Sequence, residues 1–385
     1  MTSQNIDALT EDDLRQAGSM KWTLFPDMIG AFVAEMDFGL APPIKDAVNG
    51  AMEQGLTGYL PPHLADALAK ATSDRYARAH GWDVSPQRVH HVPDVIAAFE
   101  FAIEQYTQPG GAIIVPTPAY MPFLMVPQMH GRRVIEVPSI EVDGRWTIDH
   151  EAVTAAFADG GELFVLCNPH NPLGTVATRD ELHRLADTID AVGGRVFSDE
   201  IHAPLVYAPA THIPYASISE VAAGHTLTAA SASKAWNLAG LKCAQVIISN
   251  DADAALWKRA GNWAGHGTST IGAVANVAAY NDGEEWLADI TDYLDGNRRL
   301  LAELVAEQLP NVGVTMPEGT YIAMLDFRQS GLTGDLGRWF REHAGVAMTD
   351  GAACGQAAVG YTRFVFAMPR PMIREAVRRI AAALA

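Results

Sequence analysis

Lys234 stands in the stretch SASKAWNLAGLK (231–242), directly after the apolar, strand-like run TLTAA (226–230). A lysine at the lip of a buried strand is desolvated. Desolvation lowers its pKa and leaves a neutral amine that can attack a carbonyl or accept a proton. Three further side chains follow strand-like runs in the same way. Tyr120 closes PTPAY after AIIV (112–115), Asn171 lies in NPHNPLG after LFVLC (163–167), and Asp199 follows RVFS (195–198). In open α/β sheets the ligand sits off the carboxyl ends of the strands. An aromatic ring, an amide, a carboxylate and an amine are therefore expected along one edge.

Each of these residues has a plainer reading. Tyr120 alone reads as rim packing, Asn171 before Pro172 as a turn residue, and Lys234 alone as a surface charge. Asp199, Glu200 and His202 could bind a metal. Strand alternation, however, points Asp199 and Ile201 one way and Glu200 and His202 the other, and no HExxH or cysteine partner accompanies them, so no metal is expected. Taken together, the strand ends ask for one common ligand. Pyridoxal 5'-phosphate fits: its aldehyde needs a lysine amine for a Schiff base, its pyridine nitrogen a carboxylate, its ring an aromatic partner and its phenolic oxygen a donor. Lys234, Asp199, Tyr120 and Asn171 cover those needs in turn. Ser231 and Ser233 offer hydroxyls to the phosphate, and the start of the helix after Pro93 offers amides. Neither a GxGxxG after a strand nor a Walker A loop competes.

The elements that must position these groups follow from periodicity. Candidate strands are AIIV, RVIEV (133–137), LFVLC, RVFS, TLTAA and AQVIIS (244–249). Helical spacing marks IKDAVNGAMEQG, LADALAKATSDRYARAHG stopped by Gly81, VIAAFEFAIEQY after Pro93, and RDELHRLADTIDAVG. Strands separated by crossover helices imply an α/β fold with a mainly parallel sheet and helices on both faces. From 284 the pattern changes to one long helix, then short strands and two more helices. The expected organisation is an irregular N-terminal arm (1–45) belonging to the small domain, a large cofactor-binding domain (46–283) and a smaller α/β domain (284–385).

Composition narrows the partners. With 45 acidic against 27 basic residues, the net charge of −18 argues against a nucleic-acid binder. Three widely spaced cysteines offer no disulfide framework, and the polar, acidic N-terminus lacks the pattern of a signal peptide. A cytoplasmic protein acting away from membranes on a small molecule is expected.

The chain resembles the fold-type I pyridoxal-phosphate enzymes of the class I/II aminotransferase family, and within it the C–S lyase branch of bacterial cystathionine β-lyases. The matching pieces run nearly end to end: MKWTLFPDMIGAFVAEMDF (20–38), GYLPP (58–62), TPAYMPF (117–123), CNPHNPLGTV (167–176), SDEIHAPLVY (198–207), SASKAWNLAGLK and RFVFAMPRP (363–371). The resemblance implies Lys234 as Schiff-base lysine and base, Asp199 as the pyridinium partner, Asn171 as donor to the phenolic oxygen and Tyr120 as the stacking ring. Ser231 and Lys242 match phosphate ligands, and Ser233 and His202 join the cofactor-binding set. Arg363 matches the arginine that takes the substrate α-carboxylate. Tyr59 matches a tyrosine that reaches the neighbouring subunit's phosphate and could assist the leaving sulfur, which implies a homodimer with shared sites.

Several positions depart from the family pattern. Lys242 stands where arginine is frequent, keeping the charge without the planar fork. Asp94 replaces a glycine at the phosphate turn; its side chain is expected to turn away and leave the amides of Val95 and Ile96 as donors. FVAEMDF, Val365 and Cys354 differ on the substrate side. The resemblance implies β-elimination from cystathionine or cysteine S-conjugates to pyruvate, ammonia and a thiol. The alternatives are an aminotransferase, which shares the early steps, and a non-catalytic cofactor-binding regulator.

Overall fold

The computed structural model describes residues 3–385. Seven strands form the main sheet: β1 (Val89–Val92), β2 (Ala112–Thr117), β3 (Arg133–Pro138), β4 (Gly161–Cys167), β5 (Arg195–Asp199), β6 (Thr226–Ala230) and β7 (Ala244–Ile248). Their order is β3-β2-β4-β5-β6-β7-β1, parallel from β3 to β6, with β7 antiparallel to both of its neighbours. β2, β6 and β7 are buried along their whole length. Both faces are therefore covered, and the strands read as continuous apolar runs rather than alternations.

The expected strands all form. β1 is the additional one: VHHV has two histidines at its centre and no apolar run to mark it, and it is held by pairing with β7 and by His90 stacked on Trp257 at 4.9 Å.

A second sheet is antiparallel, β8 (Gly313–Val314), β9 (Ile322–Asp326), β10 (Thr349–Asp350) and β11 (Tyr361–Val365), in the order β8-β9-β11-β10. The long helix Glu284–Gln308 packs against it, and Asn297, buried within that helix, donates to the carbonyls of Phe366 and Met368 at 2.9 and 2.8 Å. These bonds hold the chain just after β11 to the helix.

The N-terminal arm differs from the irregular segment expected. It carries the short helices Glu11–Ala17 and Met20–Thr23, the first closed by a reciprocal Thr10–Asp13 capping box. It also packs on its own chain: Ile6, Leu14 and Trp22 are buried in one core with Ile373 and Val377 of the last helix, and Ile29–Gly30 pairs in parallel with Val346–Ala347. A buried ion pair pins it, Lys21 Nζ lying 2.9 Å from Asp37 Oδ2, with Trp22 Nε1 donating to Asp37 Oδ1 at 2.9 Å and Lys21 also donating to the Ala367 carbonyl at 2.9 Å. Two desolvated charges are tolerated there because each also has a neutral hydrogen-bond partner.

Candidate active site

Strand order explains the convergence. β2, β4, β5 and β6 are consecutive and parallel, and register sets Cys167 beside Asp199 and Asp199 beside Ala229. The segments that leave their carboxyl ends carry Tyr120, Asn171, Asp199 and Lys234 into one cavity of about 640 Å3. Arg363 reaches the same cavity from β11, in the middle of the second sheet, where it is paired with Met324 and Thr349.

Lys234 Nζ donates to the carbonyl of Ala34 at 3.0 Å. Desolvation, aided by the Arg363 charge, lowers its pKa to about 8. Burial pushes Asp199 up to about 7, against the pull of the Ile201 amide, which donates to Oδ1 at 3.0 Å, and of the Lys234 charge. Among the described residues the other oxygen, Oδ2, accepts only from the Cys167 thiol, a weak donor, at 3.9 Å. A buried carboxylate with one so weakly bonded oxygen suits a cationic N–H partner.

Arg363 is 3% exposed and has no carboxylate partner among the described residues. Its Nη2 donates to the Phe32 carbonyl at 2.6 Å and its Nη1 to Asn171 Oδ1 at 3.3 Å, while Nε is buried without a partner. A guanidinium buried among neutral acceptors is suited to an incoming anion. The Asn171 amide nitrogen donates no hydrogen bond within the described residues and remains a donor for the cavity. Tyr120 is set edge-on against Phe123, ring centroids 5.6 Å apart, and burial raises its phenol pKa.

The loop carrying Asn171 turns back at Gly174, φ 72°, where an added Cβ would lie 2.5 Å from Pro317. Glycine is required there for both reasons, and the close approach ties the loop to the second sheet's leading segment through the Gly174 carbonyl, which accepts from the Glu318 and Gly319 amides at 2.8 Å.

His202 also lines the cavity, although alternation from Asp199 put it on Glu200's side. The chain leaves the strand at Asp199 and turns, so period-two counting fails beyond that residue. Glu200 lies elsewhere, accepting from the Tyr215 amide at 3.0 Å and facing His212 Nε2 at 3.2 Å. His202 is buried, its Nδ1 without a partner, and desolvation lowers its pKa to about 3, so it is neutral.

Val95, Ile96, Ser233 and Lys242 also line the cavity, where the N-terminal end of the helix Val95–Tyr106 meets it. Asp94 does not turn away from this end. Its Oδ1 caps the helix Val95–Tyr106 by accepting from the Ala97 amide at 2.8 Å, and its Oδ2 lies 2.6 Å from Lys242 Nζ. An N-cap preference and an opposite charge hold it there.

Ser231 is not on the cavity wall. It is buried, donates to the Cys243 carbonyl at 2.7 Å and accepts from the Ser233 amide at 3.0 Å, so its hydroxyl shapes the turn before Lys234. Tyr59 is 88% exposed and outside the cavity of its own chain. Arg370 also lies away from it, over the Tyr293 ring at 4.3 Å.

What sequence reasoning missed is the arm's contribution. The carbonyls that receive Arg363 and Lys234 belong to Phe32 and Ala34, and backbone acceptors carry no residue signature. A signal did exist in Asn237, three residues after Lys234. Its side chain bonds both the amide and the carbonyl of Met36, at 3.0 and 2.9 Å, and it takes the left-handed φ of 59° that asparagine tolerates.

Comparison with known proteins accords with this geometry. The sequence pattern of the family described as aminotransferase class I and II matches residues 27–380. The chain belongs to that family. Within the class I and II aminotransferases it is 40% identical to the cystathionine beta-lyase of Corynebacterium glutamicum over 97% of this chain and 98% of that one. A Corynebacterium diphtheriae structure described as a pyridoxal-phosphate-dependent beta-cystathionase superposes with a TM-score of 0.92, at 36% identity over 98% of each chain. The pyridoxal-phosphate-bound C–S lyase of Staphylococcus hominis does so with a TM-score of 0.90, at 26% identity, covering 99% of this chain and 98% of that one.

Proposed function

We propose that this protein is a pyridoxal 5'-phosphate-dependent carbon–sulfur lyase that eliminates a thiol from cystathionine or a related cysteine S-conjugate, leaving pyruvate and ammonia. The observation that carries the reading is the desolvated Lys234 amine in one cavity with Asp199 and the carboxylate-free Arg363. The likeness to named cystathionine beta-lyases over almost the whole chain supports elimination over amino transfer.

The weakly bonded Asp199 oxygen, the free Asn171 amide and the unpartnered His202 Nδ1 suit such a cofactor. Asp199 would hold its ring nitrogen, Asn171 and His202 its ring edge, Tyr120 its face, and Lys234 its aldehyde. Lys242, Ser233 and the Val95 and Ile96 amides would hold its phosphate, with Ser231 setting the turn beneath. When bound, the cofactor supplies an aldehyde that engages the substrate amine and a ring that accepts the electron pair left at Cα. Arg363 binds the α-carboxylate through Nη2 and the free Nε, which turns the Cα–H toward Lys234 Nζ. Lys234, neutral in part near pH 8, takes that proton. Beside a cationic ring N–H the buried Asp199 would be favoured in its ionised form and would hold that proton in place. Cβ then releases the thiolate, the C–S bonding pair leaving with sulfur, and water hydrolyses the remaining three-carbon enamine to pyruvate and ammonia.

Purified protein supplied with cystathionine is expected to yield pyruvate and thiol with no keto acid added. A strict keto-acid requirement would instead assign amino transfer.

The subunit divides in this reading into an arm (1–45) with 284–385 and a larger part (46–283), with the cavity between them. A cytoplasmic location is supported by three buried, unpaired thiols; no helix among the described residues is long and apolar enough to cross a membrane. The working form is a homodimer in which Tyr59 completes the partner's phosphate end and assists the leaving sulfur. Its support is surface chemistry: Tyr59 at 88% exposure neighbours Trp263 at 80%, with His266 between them. Sedimentation should give about twice the 41.3 kDa chain mass; a fully active monomer at nanomolar concentration would contradict it.

A further inference from the structure

The cavity has one more basic side chain, which the reaction above does not use. Arg341, on the helix Leu336–Ala344, lines the same cavity as Lys234 and Arg363. It is half-buried, with its guanidinium 4.9 Å from the centre of the Phe25 ring. It has no ion-pair partner and donates no hydrogen bond among the described residues. A cation–π contact orients the guanidinium plane without consuming its N–H donors, so they remain for an acceptor. Arg363 is 3% exposed, whereas Arg341 is half-buried and, with Met20 and Leu24 at 50% and 53% exposure, belongs to the solvent-facing part of the lining, its rim.

Asp335 and Asp350 line that rim as well. Each has one oxygen committed to backbone: Asp335 Oδ1 accepts from the Arg338 amide at 2.8 Å and Asp350 Oδ1 from the Leu336 amide at 3.2 Å. The cavity lining therefore offers, besides its apolar side chains, an uncommitted guanidinium and two carboxylates.

On the lyase reading, the α-carboxylate is at Arg363 and the reacting Cβ near Lys234, so everything beyond the sulfur must extend toward the rim. An alkyl leaving group would meet only the apolar wall. One that ends in a zwitterion would lay its methylenes on that wall and set its carboxylate and ammonium against opposite charges. We infer that Arg341 binds the carboxylate at the far end of the leaving half, with Asp335 facing its ammonium, and that the preferred substrates are thioethers carrying a second amino-acid end. Arg341 is in this account a specificity residue, and the inference rests on the lyase reading.

The test compares the holoprotein with its Arg341→Met and Arg341→Lys variants on L-cystathionine and on S-ethyl-L-cysteine, whose leaving half is uncharged. In Arg341→Met the ratio of kcat/KM for cystathionine to that for S-ethylcysteine should fall about 10- to 100-fold, mostly through KM, the range of a lost charge-assisted hydrogen bond. Arg341→Lys should restore part of the ratio. A ratio that does not change, whether both substrates suffer equally or neither does, overturns the inference. Should the unaltered protein release pyruvate from neither thioether, the lyase reading fails by itself. The dissociation constants of the same two compounds on the holoprotein and on Arg341→Met then decide for Arg341 by the same ratio.

Discussion

Lys234→Ala is expected to lower pyruvate and thiol release by about 10²- to 10⁴-fold, the usual loss when a positioned general base is removed. Lys234 Nζ lies on the cavity wall with a pKa lowered to about 8, near the working range, and among the described residues it hydrogen-bonds only to the Ala34 carbonyl. Removing it deletes the group that takes the Cα proton and costs the fold little. Cofactor should still be retained after dialysis, though more weakly, because Asp199, Tyr120 and the Lys242 end do not depend on the lysine. Thiol release followed with a chromogenic disulfide, together with visible absorbance of the dialysed protein, separates the two effects. Elimination at a near-normal rate in this variant would remove Lys234 from the chemistry.

Arg363→Ala should lower kcat/KM for amino-acid thioethers by about 10²-fold or more, since charge-assisted hydrogen bonds to the α-carboxylate are lost together. The effect should appear largely in KM, and carboxylate-free amines of the same length should be nearly indifferent to the change. Deleting a buried guanidinium also removes the shorter of two hydrogen bonds to the Phe32 carbonyl, leaving the Thr349 hydroxyl at 3.1 Å, and so loosens the arm. Arg363→Lys controls for this: it keeps a cation near Phe32 but cannot span both oxygens of a carboxylate, and it should recover only part of the affinity. Equal losses for substrates with and without a carboxylate would make Arg363 a structural residue rather than a receptor.

Much of the larger sheet was legible because its strands are buried on both faces. AIIV, LFVLC and TLTAA are apolar throughout, flanked by turn residues, and separated by helices with a clear apolar stripe. A buried parallel strand has that pattern whatever follows it. β1 escaped because VHHV depends on its neighbours β7 and Trp257 rather than on its own hydrophobicity. The arm escaped for a related reason. Its short helices are too brief to announce themselves and are held by tertiary contacts, above all the buried Lys21–Asp37 pair.

The residue types and chain positions of Lys234, Asp199, Asn171, Tyr120 and Arg363 follow from the sequence, since strand-end chemistry and motif order depend only on local pattern. Their convergence follows from the order β2-β4-β5-β6, which parallel crossover connections favour. Tertiary structure decided the rest. His202, which the family resemblance put in the cofactor-binding set and strand alternation put on the other side, lines the cavity because the chain turns after Asp199, and Ser231 is held in the turn before Lys234 by the Cys243 carbonyl that accepts its hydroxyl. Asp94 settled on Lys242 because a helix start and an ammonium meet across 148 residues of chain. Arg363 and Lys234 are aimed by the carbonyls of Phe32 and Ala34, groups that every residue possesses. Backbone acceptors become specific only when folding brings one to within hydrogen-bond reach of a charge, and no local pattern in the sequence encodes that distance.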